Sequence, residues 1–123
     1  MLKMEEDKMH WRVYTGEDGH SHFEELILPE EDLFQYALKS GETMDFRRVN
    51  MEGWHNPPRR QWVIHLEGAA EIGISDGTKK IMRPGDMTLM EDMTGPGHTT
   101  TPIERPWLIA MIACADQTPG GAR

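Results

Sequence analysis

Two short stretches hold most of the side chains able to do chemistry: Trp54-His55-Asn56-Pro57-Pro58-Arg59-Arg60-Gln61 and Gly95-Pro96-Gly97-His98. An imidazole nitrogen either ligates a divalent metal or carries a proton, and the amide oxygen of a glutamine is a neutral, weaker ligand. His55, Gln61 and His98 are therefore the candidate metal ligands. Arg59 is the candidate partner for a substrate carboxylate, which a guanidinium grips through two parallel N–H donors. Trp54 offers an aromatic wall for an apolar ligand. Strand parity adds His65: if Gln61 faces a cavity, Arg59, Val63 and His65 share that face, because side chains alternate along a strand. His65 is then a further ligand, a general base, or a core histidine whose nitrogens are hydrogen-bonded. Glu91 and Asp92, just ahead of the second stretch, are the candidate proton-transfer carboxylates, the alternative being an outward pair at a strand end. His20-Ser21-His22-Phe23-Glu24 also has ligand-like spacing, and within it His22 or Glu24 is a candidate for the pocket wall, the alternative being a hairpin start in an acidic surface segment.

In order and spacing these stretches resemble the cupin family of small double-stranded β-barrels. The first motif of that family, G-x5-H-x-H-x3/4-E-x6-G, is matched in its later half: His55, then Pro57, then Gln61 in the carboxylate position, then Gly68. The second, roughly G-x5-P-x-G-x2-H-x3-N, is seen in Pro84-Gly85-Asp86 and in Gly95-Pro96-Gly97-His98. The resemblance runs over about residues 44 to 113. It implies a jelly-roll barrel with a site in its interior, a homodimer, and dioxygenase, isomerase, decarboxylase or lyase chemistry, typically with one iron, manganese, nickel, copper or zinc ion. The departures bear on that metal. Pro57 stands in the second histidine position, Gln61 in the glutamate position and Pro102 in the asparagine position, and the interval from Gly85 to His98 is longer than the pattern. Two functions stay open: an enzyme acting on a small molecule inside the barrel, and a metal-free module that binds or senses one.

The elements that must position these residues are short β-type runs punctuated by Gly and Pro, which predict an all-β fold. Trp11–Tyr14 and His22–Leu28 flank a Gly16–Gly19 turn as a hairpin. Met44–Val49, Gln61–Leu66, Ala69–Ser75, Thr78–Met82, Met87–Glu91 and Trp107–Ala113 are the remaining expected strands, and Asp76-Gly77 is the strongest hairpin turn. Glu30–Lys39 has the spacing of one short helix, or of an irregular strand. Residues 1–10 read as a flexible lead-in, 11–115 as the barrel and 116–123 as a flexible tail.

Composition narrows the partners. A chain of 123 residues is one domain, too short for separate cofactor and substrate domains. Twenty-one acidic against 13 basic side chains give a net charge of -8, which repels a phosphate backbone, so nucleic acid is not expected. No apolar run approaches the ~20 residues that span a bilayer, so no membrane partner is expected and the location is read as cytoplasmic. The single cysteine, Cys114, lies in an apolar run and is expected to pack as a small hydrophobe. The ten methionines read as adaptable filling of the interior.

Overall fold

The computed structural model describes residues 10–26, 37, 39, 41–48 and 53–120. These form an all-β architecture. The hairpin of β1 (His10–Thr15) and β2 (Ser21–Glu25) is followed by β3 (Gly41–Arg48), the two-residue β4 (Trp54–His55) and β5 (Gln61–Gly73). Three more strands complete it: β6 (Lys79–Met82), β7 (Met87–Glu91) and β8 (His98–Cys114). The sheet is mixed, ordered β2-β1-β7-β5-β8-β3, with β1 parallel to β7, β4 attached to β8 and β6 attached to β5. Among the described residues this hydrogen-bonded path stays open. The enclosure expected of a double-stranded barrel is made by folding the sheet over itself, without ring closure.

The fold-over depends on two long strands. The expected strands Gln61–Leu66 and Ala69–Ser75 merge into β5, and the Thr99–Thr101 run joins Trp107–Ala113 in β8. The first half of β5 pairs with the last half of β8, and its second half pairs with the start of β8; the register shifts between His65 and Ala70. The Glu67-Gly68 step that reads as a strand end is therefore a bulge, where an extra residue bends a strand and strengthens its twist. Gly68 has a φ of 75°, and a Cβ there would lie 2.3 Å from the Pro106 carbonyl oxygen, so no larger residue fits the bend.

Alternation along β5 and β8 sorts the apolar side chains into two cores. Trp62, Ile64, Ala110, Ile112 and Cys114 pack on one face of the sheet with Leu26, Ala37, Met87 and Leu89. Val63, Ile109, Met111 and Trp107 turn to the other face and meet Ala70, Ile72 and Met82 from the folded-over half. Burying each Ile, Leu or Met in this way contributes about 1.5–3 kcal/mol. Cys114 sits in the first core as a buried apolar group, and burial pushes its thiol pKa up.

Of the expected Glu30–Lys39 helix only Ala37 and Lys39 are described, both with helical backbone; the rest lies outside the described residues. So does the lead-in as far as Met9, while His10 opens β1. The segment expected as a loose tail is held over residues 116–120. Gln117 exchanges two hydrogen bonds with the Arg60 backbone at 2.8 and 2.9 Å, and the Gly120 N–H reaches Glu91 at 2.8 Å. Among the described residues no helix is long and apolar enough to cross a membrane.

Candidate functional site

A cavity of about 410 Å³ opens between the two halves of the folded sheet. Strand parity decides its lining. Gln61, Val63 and His65 from β5 and Trp107, Ile109 and Met111 from β8 face it, whereas the intervening Trp62, Ile64, Ala110 and Ile112 face the other core. Arg59, His55 and His98 complete the group expected to lie together, and all of them line this one cavity.

His55 and His98 are register partners where β4 meets the start of β8, with ring centroids 4.5 Å apart and the planes at 65°. Gly97 permits this approach: its φ is 77°, and a Cβ would lie 2.0 Å from the His55 carbonyl oxygen. Both rings are fixed from behind. His98 Nδ1 lies 2.7 Å from Asp92 Oδ2, and the Ser21 hydroxyl donates to the same oxygen at 2.8 Å. His55 Nδ1 lies 3.1 Å from the Gly53 carbonyl oxygen, which selects the tautomer with its proton on Nδ1. Each ring is left with Nε2 as its cavity-side nitrogen. Among the described residues the only sealed and unpartnered side-chain atom is Asp92 Oδ1, so His98 Nε2 is in contact with open space although the residue is only 2% exposed. Burial, and then the neighbouring His98, lower the pKa of His55 and favour its neutral form. Asn56 secures the loop behind the pair, its amide donating to the carbonyls of Asp92, Thr94 and Gly95 at 2.9, 3.2 and 3.2 Å.

His65 is built for packing. Its Nδ1 accepts the Trp107 indole N–H at 3.3 Å and its Nε2 lies 3.2 Å from the Thr88 hydroxyl, so both nitrogens are occupied. Burial lowers its pKa to about 3. The general-base assignment of His65 is corrected accordingly: the residue lines the cavity but has no lone pair to offer.

Glu91 also departs from its expected role. It is buried away from the cavity, where Arg12 donates to one carboxylate oxygen and Arg60, at 2.5 Å, and the Gly120 N–H donate to the other. Burial alone would raise its pKa; the Gly120 N–H and the two guanidiniums outweigh this and hold it below the usual carboxylate range. Asp92 stands behind His98 and supports it without lining the cavity. His22 is turned to Asp18, 2.9 and 3.0 Å from its two oxygens, and Trp54 is 55% exposed; neither lines the cavity.

The expected metal ligands were His55, Gln61 and His98. They share the cavity, but as a donor set they do not fit a resident divalent ion. The Gln61 amide oxygen already accepts the Arg59 Nε–H at 3.0 Å, so the set offers two imidazoles, one shared neutral oxygen and no anionic donor. Among the described residues no group of three or more His, Cys, Asp or Glu converges. Protein sites for such ions ordinarily supply three or four donors, often with a carboxylate or thiolate to offset charge. Arg47 and Arg59 instead place positive charge on this wall.

Four contributors escape sequence reading: Ser21, Asn56, Arg47 and Trp107. The Ser21–Asp92 contact spans 71 residues and leaves no local trace. Arg47 was accessible in principle through the parity of β3, because Asp45 on the same face reaches Arg59 at 3.6 Å. Comparisons with protein-family models, with curated proteins and with solved structures give no match for this chain.

Proposed function

We propose that this chain is a cupin-class enzyme acting on a small molecule inside the cavity, by proton transfer through His98. The observation that carries the reading is the buried Ser21–Asp92–His98 chain, which ends at an Nε2 open to the cavity. With its Nδ1 proton held by Asp92, His98 presents a lone pair at Nε2. It takes a proton from a substrate carbon or hydroxyl, and the carboxylate stabilises the imidazolium so formed. Returning that proton to a neighbouring atom is an isomerisation; delivering it to a leaving group is an elimination. His55 presents a second acceptor 4.5 Å away, centroid to centroid, which helps to orient the group being deprotonated. Isomerase and lyase chemistry are the classes this arrangement serves directly.

The test is hydrogen–deuterium exchange. Small 2-oxo acids, 3-oxo acids and neutral ketones are incubated with the protein in deuterated buffer, and incorporation is read by mass spectrometry. Exchange well above the buffer rate is expected for at least one class, with a loss of about 10²–10⁴-fold in His98→Asn, the usual contribution of a positioned acid–base group. Exchange at the buffer rate throughout, or equal exchange in His98→Asn, would reject the enzyme. The metal-free binding module would then stand, favoured by the Pro57 and Gln61 positions that leave the cavity without a full ligand set. We further propose a homodimer, supported by β3 at the sheet edge with Met44 and Phe46 exposed at 47% and 62%. A monomeric mass by light scattering would reject it.

A further inference from the structure

We infer that the ligand of this cavity is a small organic monocarboxylate with an apolar body, its carboxylate held by Arg47 and Arg59. The inference rests on the reading of the cavity as a substrate site. In a chain of net charge -8, the described residues of the cavity wall include two guanidiniums and no carboxylate side chain. Asp45 and Arg47 lie two residues apart on β3 and so project from one face. Arg59 Nη2 lies 3.6 Å from Asp45 Oδ2, which brings its guanidinium to that same face. Arg59 is steadied further by its Nε–H bond to Gln61 at 3.0 Å, whereas Arg47 has no ionic partner among the described residues. Two cations against Asp45 leave one positive charge in excess, the complement of a carboxylate and about half the charge of a phosphate monoester.

The rest of the wall fixes the other end of the ligand. Val63, Ile72, Met90, Ile109 and Met111 are apolar, and Trp107 adds a flat surface. The cavity-side nitrogens of His55 and His98 are acceptors; they repel an anion and favour a C–H or O–H. A carboxylate therefore goes to the arginine end and leaves the body of the molecule beside His98. The volume of about 410 Å³ equals roughly fourteen water-sized shares, enough for an acid of about six to ten heavy atoms.

Isothermal titration calorimetry on the intact protein tests this with five probes: benzoate, hexanoate, benzamide, hexanamide and phenylphosphonate. The expected result is binding of both carboxylates, about tenfold or more tighter than the matching amides and tighter than phenylphosphonate. Arg47→Gln is expected to weaken benzoate about tenfold or more and to leave benzamide unchanged; Arg59→Gln is expected to do the same. Arg47 is exposed, so its variant keeps the test valid if Arg59→Gln loses its fold by thermal melting. No carboxylate binding at millimolar concentration, equal binding of benzoate and benzamide, tighter phenylphosphonate, or unchanged affinity in Arg47→Gln would each overturn the inference. Benzoate has no exchangeable C–H, so the two proposals fail separately. Arginine-dependent benzoate binding without any exchange activity supports the monocarboxylate site and rejects only the enzyme. His98-dependent exchange without carboxylate binding rejects only the monocarboxylate.

Discussion

Glu91 and Asp92 are neighbours in sequence, both fully buried, and their surroundings are opposite in kind. Glu91 is saturated: two guanidiniums and a backbone N–H occupy both of its oxygens, and it lies away from the cavity. Asp92 receives Ser21 and His98 on one oxygen and nothing on the other. A buried carboxylate with both oxygens answered adds rigidity, whereas one with an unanswered oxygen retains a desolvation cost that a cationic neighbour relieves. Protonation of His98 at Nε2 creates such a neighbour without moving an atom. The first carboxylate holds the architecture, and the second is poised for a change of charge.

The largest effect should come from breaking the saturated side. Glu91→Gln removes the charge facing Arg12 and Arg60, of which Arg60 is 2% exposed, and is expected to cost about 3–5 kcal/mol in urea unfolding. Benzoate affinity of the fraction that remains folded should change little; a large loss there would mean the two carboxylates are not separate in function. Next comes the poised side. Asp92→Asn should lower His98-dependent exchange about 10–100-fold, because the imidazolium formed in the proton transfer loses its stabiliser. Unchanged exchange in a folded Asp92→Asn variant would make Asp92 merely structural. Ser21→Ala, which removes one donor from the same oxygen, should cost only about 1 kcal/mol of stability.

His65 provides a third buried titratable group and a smaller, pH-dependent contrast. Its pKa in the folded protein, about 3, lies below the ordinary histidine value of 6.5, so the unfolded chain takes up a proton first as pH falls. Stability is complete above pH 6.5 and declines toward pH 3, by up to about 1.4 kcal/mol per unit. The depressed Glu91 acts in the same sense, but its stability is lost only as pH falls below its ordinary 4.5. His65→Gln should therefore flatten the stability curve mainly between pH 6.5 and 4.5, read from urea midpoints across pH. An unchanged slope in that window would assign it to other groups, among them His55, whose pKa is also lowered.

The period-two pattern of β5 carried most of what was legible. It brings Arg59, Gln61, Val63 and His65 to one cavity, and His55 and His98 arrive through the short pairing of β4 with β8. The same rule fails one residue past the end of β7: Glu91 closes the strand and Asp92 already belongs to the loop that Asn56 fastens. Parity therefore could not say which carboxylate stands behind the histidine. The partners that decide it, Arg12 and Ser21, lie 79 and 71 residues away in the chain. The sequence divides β5 into two strands for a local reason. A glycine after a glutamate reads as a stop, and only the crossing of the Glu104–Pro106 backbone beneath Gly68 shows it to be a bend.

The environment of Glu91 also bears on the order in which the protein becomes whole. Arg12 in β1, Arg60 ahead of β5 and the amide of Gly120 all meet on this one side chain. Contacts between segments so far apart in sequence are slow to find and late to close. During synthesis the arginines emerge before their counter-charge at Glu91, and the set of donors around that carboxylate is complete only once Gly120 has followed. Chains truncated before β7 should accordingly leave Arg12 and Arg60 without this counter-charge and the β1 amides that face β7 unprotected from exchange.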